Sequence, residues 1–441
     1  MLLQFSIKNF RAFKENVTLS MIASNYDKDT REIDNIMYDE AFDIRILKSA
    51  VIYDANASGK SKLIEAFTFM KHFVAESSKE SQKGDSINIE PYRLSTETEN
   101  KPSEFEVIFL YKNVLYRYGF EVTEEKIVSE WLFYKQKTKE VELFYREYDK
   151  FETHERGFSK GKTVIKAGLV RDNALLISVA AQFNEKAAIS VIDWFKRFRT
   201  LSGLDEFGYA GYTIGKTEDL IHKAKILDLL KAADLGIEDI KLLKLDIDKL
   251  PADIPKEIRE KIVKEMREEK KEFVFDVLTS HKKYDSNKKL VGDSIFTLED
   301  NESSGTRKFF ALTGPILDVI ENGYTLVVDE LDSKLHPNLV CKIVSLFNSK
   351  ELNKKNAQLI FNTHDTNLLN SGLFRRDQIW FTDKNKYGEA KWYSLADFKS
   401  NEVRKTESFE DNYVRGKYGA VPFLGHFNNL NNILSQHENE K

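Results

Sequence analysis

The chain is short of the residues that would staple, anchor or strongly charge it. It holds one cysteine, Cys341, in 441 residues. A single thiol forms no internal disulfide and builds no cysteine metal cluster, so a reducing, cytosolic compartment is the expectation. No stretch approaches 18 consecutive apolar residues, which leaves no candidate membrane-spanning helix. The opening residues, Met1 to Arg11, alternate apolar and polar like a strand and lack the apolar core and cleavage site of a secretion signal. Charge of one sign is missing too, since 67 Lys and Arg face 71 Asp and Glu for a net charge of -4. That balance removes the global case for nucleic-acid binding, which needs a basic excess on one face, and leaves room only for a local patch. Neither internal repeats nor low-complexity tracts interrupt the chain.

What is present is concentrated in a few short segments. Asp54, Ala55, Asn56, Ala57, Ser58, Gly59, Lys60, Ser61 and Lys62 follow the pattern of a phosphate-binding loop, G-x-x-x-x-G-K-[ST], with aspartate at its first position. In such a loop the backbone N–H groups wrap phosphate and the lysine neutralises its charge. The apolar run Ala50 to Tyr53 predicts a buried strand before it, and Leu63 to Met70 predicts a helix after it. Strand, loop and helix is the context that the motif requires, so nucleotide binding is the leading expectation. Glycine at position 54 would give backbone freedom, whereas aspartate adds a negative charge beside a polyanion. In a low-dielectric pocket that repulsion is worth a few kcal/mol, very roughly. A carboxylate directed to solvent would reduce that cost, and weakened nucleotide affinity or turnover with an intact fold is the expectation.

Elsewhere the periodicity supplies the frame. The first 50 residues predict edge strands, at Leu3 to Phe10 and Val17 to Ile22. Residues 76–103 are polar and predict an exposed connection, with Pro91 to Leu94 as an anchor. A period of two governs 105–111, 114–122, 127–135 and 140–147, which predicts an antiparallel meander. Its aromatic residues fit core packing better than base stacking. Helical spacing covers Ala187 to Arg199 and Asp219 to Ala232, and a charged helix is expected from Pro255 to about Glu272. Alternation returns at Phe273 to Leu278, followed by a turn flanked by Lys282, Lys283, Lys288 and Lys289. This is the densest local basic patch, and a solvated hairpin tip is its simpler reading.

A second cluster of chemistry lies between residues 302 and 366. Tyr324 to Asp329 is an apolar strand ending in Asp329 and Glu330. Acids in that place support Mg²⁺ and polarise an attacking water, although acids also cap strands for no chemical reason. Gln358 to Asn362 is another buried strand, ending near His364, which lies 34 residues after Glu330. A lone histidine there is usually structural. Ser303, Ser304 and Gly305 open a helix expected over Lys308 to Ile320. An exposed helix N-terminus suits an anion, and an ordinary serine cap explains the same residues.

Taken in this order, the loop, the Ser-Ser-Gly segment, Val-Val-Asp-Glu and Asn-Thr-His-Asp resemble the ABC-type ATPase heads of the SMC and RecF class. Asp329 to Pro337, Glu302 to Arg307 and the terminal Tyr418 to Leu424 are similar, more closely, to the AAA-family ATPases of bacterial abortive-infection and phage-defence systems, the AbiLi or RloA type. The resemblance implies an α/β fold: an ABC-ATPase head of the P-loop NTPase type with a mixed central sheet, an antiparallel β-subdomain and a helical lid. Its parts would be an N-terminal lobe at 1–182, a lid at 183–280 and a C-terminal lobe at 281–441. It implies ATP and Mg²⁺, with Lys60 on the β- and γ-phosphates, Ser61 and Asp329 on the metal, Glu330 orienting or deprotonating the water, and His364 sensing the γ-phosphate. Ser303 and Gly305 would touch a nucleotide held by a second copy, so a homodimer or higher homo-oligomer is implied. Such ATPases act with a separate effector, often a nuclease or Toprim-like protein. The rival expectation is a RecF-like repair ATPase that binds DNA directly, and a third is a nucleotide-responsive scaffold with little turnover. Two departures stand out. No glutamine marks a metal-linking loop around 82–94, and Asp332 to His336 replaces the usual segment after the catalytic glutamate.

Overall fold

The structure, a computed structural model, describes residues 1–25, 30–55, 59–79, 82–204, 207–244, 274–399, 402–403 and 407–421. Asn56, Ala57 and Ser58 of the loop, the charged helix expected at 255–272, Phe273 and the terminal Pro422 to Leu424 lie outside the described residues. Among those described, no helix is long and apolar enough to cross a membrane.

A six-stranded central sheet organises the chain. Its spatial order is Phe198–Ser202, Thr325–Asp329, Gln358–Asn362, Ser49–Asp54, Ile379–Lys384 and Ala390–Ser394. The first five strands run parallel and the last is antiparallel, so the sheet is mixed as expected. Strands covered on both faces read as continuous apolar runs, and Ser49–Asp54 is buried at every position. Alternate residues feed two cores. Ile52, Val327 and Ile360 face one side, and Val51, Tyr53, Val328, Leu359 and Phe361 the other.

The first core lies under a seven-stranded antiparallel sheet. Four of its strands match the expected meander, Ser103–Tyr111, Val114–Val122, Ile127–Lys135 and Glu140–Glu147. Leu2–Lys8 and Val17–Ser20 complete its far side. Of these two, Val17–Ser20 is an edge strand, the opposite edge being Lys150–Thr153. Leu2–Lys8 pairs on both sides, with Val17–Ser20 and with Ser103–Tyr111, which corrects the edge-strand expectation. The helix Lys60–Glu76 lies between the two sheets. Leu63, Phe67, Met70 and Val74 fall at helical spacing and are buried. Phe67 stacks on Phe5 of one sheet with ring centroids 3.7 Å apart, and on Phe198 of the other at 5.1 Å. The helix entry that presents Lys60 and Ser61 is therefore clamped from both sides.

The second core packs the opposite face against helices Ser304–Asn322 and Pro337–Asn348. The segment 183–280, expected to be helical, is of mixed structure. Its helix Lys186–Lys196 stops before Arg199, and Phe198–Ser202 forms the outermost parallel strand of the central sheet. The helix ends at Arg197, with φ -86° and ψ 0°, whose backbone N–H donates to the Trp194 carbonyl at 2.9 Å. Helices Phe207–Lys216 and Leu220–Ala232 follow. A three-stranded antiparallel sheet of Ile237–Lys244, Val274–Tyr284 and Leu290–Thr297 comes next, docked through Ile237, Ile240 and Val277. Its second hairpin carries the four lysines of the basic patch at its tip, where they are exposed.

Candidate functional site

Parallel strands deliver their last residues to one edge of a sheet, where ligands of open α/β folds bind. Here that edge gathers Asp54, Asp329, Asn362 and Ser202 from four strands that lie side by side. The helix Lys60–Glu76 opens against the same edge. Gly59 caps it in the left-handed region at φ 115°, a conformation that favours glycine. Ala55 is buried, and Lys62, at the rim of the site, pairs with Glu65 at 2.6 Å.

Ser61 and Asp329 meet directly, the Ser61 hydroxyl donating to Asp329 Oδ1 at 3.0 Å. Asn362 holds both acids in register. Its Nδ2 donates to Asp329 Oδ1 while its Oδ1 accepts from the Glu330 backbone N–H. The role of Asn362 escaped the sequence reading, although its position at the end of a buried strand, one residue past an apolar run, was the available signal. Glu330 itself sits in the left-handed region at φ 53°, which costs on the order of 1–3 kcal/mol for a non-glycine residue and persists only when its surroundings fix it. Gly203 is one such surrounding. Its N–H donates to the Asp329 carbonyl at 2.5 Å, and a Cβ there would lie 2.0 Å from the Glu330 carbonyl oxygen.

Asp54 points into the loop. Its Oδ1 lies 3.0 Å from Lys60 Nζ, and the two side chains are only 3% and 6% exposed. His364 closes the group, with Nε2 against Lys60 Nζ and Nδ1 3.9 Å from Asp54 Oδ1. An ammonium can only donate, so Nε2 is the acceptor in the contact with Lys60. Tyr413 braces the strand end behind them, its hydroxyl 3.2 Å from the Asp54 carbonyl and 2.8 Å from that of Ala420. Burial, and then the Asp54 charge, push the Tyr413 pKa far above the ordinary tyrosine value, so the phenol stays protonated.

A cavity of about 580 Å³ opens over this group. Lys60, Ser61, Glu330, His364, Arg11 and the Pro91 to Leu94 anchor line it. A neighbouring cavity of about 690 Å³ reaches Ser61 and Asp329 from the other side, past Ser202 and the 86–90 segment. The strand whose end stands beside Asp329 is thus Phe198–Ser202, and the region around 82–94 forms the walls of both cavities instead.

Ser303 and Gly305 are placed elsewhere. Among the described residues they line neither cavity. Ser303 caps the helix Ser304–Asn322 by accepting from Thr306 N–H at 3.1 Å. Gly305 lies so close to the loop after Glu330 that a Cβ would stand 2.8 Å from the Lys334 carbonyl oxygen.

Comparison with known proteins places the chain in a family. Residues 49–370 match the family described as "AAA domain, putative AbiEii toxin, Type IV TA system", a span that contains every element of the sheet edge just described. The chain belongs to this family. Its AAA domain is thus carried on the mixed α/β architecture described above. Similar solved structures include an SMC head bound to the C-terminal winged-helix domain of ScpA, at 12% identity and a TM-score of 0.45, covering 89% of this chain and 97% of that one. The SMC head from Thermotoga maritima aligns at 13% identity and a TM-score of 0.40, covering 89% and 98%. An SMC head with an extended coiled coil bound to the C-terminal domain of ScpA, from Pyrococcus furiosus, aligns at 14% and 0.34, covering 89% and 96%. Comparison with curated proteins gave no match.

Proposed function

We propose that this family member hydrolyses ATP at a site completed by a second copy, and that the nucleotide state controls a separate effector protein. One observation carries the reading. Lys60, Ser61, Asp329, Glu330 and His364 converge on one edge, whereas Ser303 and Gly305 line neither cavity there. An anion-accepting helix end that is absent from its own phosphate site is free to complete another.

The residues present fit Mg²⁺. Ser61 and Asp329 offer hard oxygen donors 3.0 Å apart at the helix entry, and Mg²⁺ is usually held by one or two such groups with water and phosphate. When bound, the ion neutralises charge on the phosphates. The remaining work belongs to the chain. Lys60 would hold the β- and γ-phosphates, and Asn362 would keep Asp329 and Glu330 in fixed relation. Glu330 would orient the attacking water, and His364, already on Lys60, would sense the γ-phosphate. Asp54 occupies the lysine in advance, so a nucleotide must displace an internal carboxylate. That pair favours slow turnover, and supports a second reading in which the chain is chiefly a nucleotide-responsive scaffold.

Regulation of a nuclease or Toprim-like effector in anti-phage defence fits the family's association with toxin–antitoxin systems. The lysines at the tip of the second hairpin, exposed at Lys283, Lys288 and Lys289, leave direct DNA binding as the rival. ATPase rate measured against protein concentration tests the main reading. Specific activity should fall on dilution and recover on concentration. A constant specific activity down to the monomer would refute it. A steeply salt-dependent DNA affinity would favour the rival.

A further inference from the structure

Lys308 is an unusual residue to find where it is. It lies one turn inside the helix Ser304–Asn322 and is fully buried, in a run where Phe309, Phe310, Ala311 and Leu312 are buried as well. Its ammonium donates to the Glu330 carbonyl at 3.2 Å and to the Ser333 carbonyl. Both acceptors belong to the loop that follows the acidic strand. That loop turns on itself through Ser333 N–H to Glu330 O at 3.1 Å and Leu335 N–H to Asp332 O at 3.0 Å. It carries two non-glycine residues in the left-handed region, Glu330 at φ 53° and Lys334 at φ 61°.

The same loop meets the same helix a second time, where Gly305 approaches the Lys334 carbonyl. The helix that begins with Ser303 is therefore joined at two points to the loop that begins with Glu330. A buried cation is costly unless its hydrogen bonds are met, and Lys308 places one of them on the carbonyl of the residue that would orient water and another three residues on in the same loop. A core position one turn into a helix could be filled by leucine or methionine at no electrostatic cost. The backbone carbonyls it holds give the lysine its purpose.

We propose that Lys308 is a positioning residue: it fixes the Glu330 peptide and links the Ser303–Gly305 segment mechanically to the chain's own Glu330. Movement of that segment, on engaging a ligand, is passed through Lys308 and Gly305 to the glutamate. The inference rests on the reading of Glu330 as the residue that orients water.

The test is a double-mutant cycle on the full chain, with Lys308→Met, Glu330→Gln and the pair. ATP affinity, by fluorescent-analogue titration, is followed alongside kcat. Lys308→Met should lower kcat roughly 10-fold to 100-fold with nucleotide affinity within about twofold. In the Glu330→Gln background it should cost little more, because both changes remove one function. Additive losses, or an unchanged kcat for Lys308→Met, overturn the role of Lys308 alone. An unchanged kcat for Glu330→Gln overturns the underlying reading as well. If Lys308→Met does not fold, Lys308→Arg, which keeps the cation and alters its reach, takes its place in the same cycle with the same outcomes.

Discussion

Replacing Asp54 by glycine restores the usual first residue of the loop and removes the internal partner of Lys60. The two charges lie 3.0 Å apart, an attraction of about 5.5 kcal/mol at an effective dielectric of about 20. Desolvation of both groups offsets much of this, because their side chains are almost wholly buried. A net competition of about 2 kcal/mol against phosphate is the reasonable residue, and corresponds to roughly 30-fold in Kd. Asp54→Gly should therefore bind ATP about 30-fold more tightly. Asp54→Asn, which removes the charge and keeps the size, should recover most of the gain. The apo protein should move the other way. Breaking a buried pair leaves Lys60 with His364 as its near neighbour, so the apo melting temperature should fall while the rise produced by ATP grows. Isothermal titration with a non-hydrolysable ATP analogue, paired with thermal melts, reads both effects. Equal affinities for all three proteins within twofold would refute the reasoning. A gain for glycine alone would assign the effect to backbone freedom, not to charge.

Two further outcomes follow from the geometry. Gly203→Ala would place a methyl 2.0 Å from the Glu330 carbonyl, so kcat should drop roughly 10-fold or more with ATP affinity nearly unchanged; steady-state kinetics with an affinity titration checks this. Glu130 is buried, accepts from Leu176 and Ile177 N–H at 2.6 and 3.0 Å and faces Arg146 at 3.8 Å. Burial lifts its pKa above the ordinary 4.5 despite these partners. A raised folded-state pKa gives a contribution that is complete below the ordinary value and is lost as pH rises through the raised one. Denaturant unfolding from acid to neutral pH should show the wild-type stability, taken relative to Glu130→Gln, declining as pH increases. A rise over that interval would contradict the assignment.

The features most legible in the sequence were those with a strong period or a fixed spacing. The meander strands were located by alternation, and Ser49–Asp54 and the acidic strand by short continuous apolar runs, buried on both faces. The phosphate loop and the Asp329–Glu330 pair could be placed because each lies at a strand end. Phe198–Ser202 was hidden because the apolar spacing of Lys186–Lys196 runs on through it, and tertiary pairing with Thr325–Asp329 overrides that local pattern. Leu2–Lys8 looked like an edge because its second partner lies about 100 residues away in the chain, a distance that periodicity does not see. Asn362, Gly203 and Lys308 act through backbone groups of other segments. No spacing announces such contacts. The ion pair between Asp54 and Lys60 was equally invisible, since a substitution in a motif does not reveal which way its side chain turns.

The central claim is that each ATP site is built from two copies, with Lys60 from one and Ser303 from the other. Mixing two inactive variants tests it most directly. Lys60→Ala removes the phosphate-holding lysine, and Ser303→Arg blocks the helix end that would reach the opposite nucleotide. Each variant alone should have negligible ATPase activity. A mixture should regain it, because one of the two sites in a mixed dimer pairs an intact Lys60 with an intact Ser303. A mixture no more active than the sum of its parts would contradict the shared site.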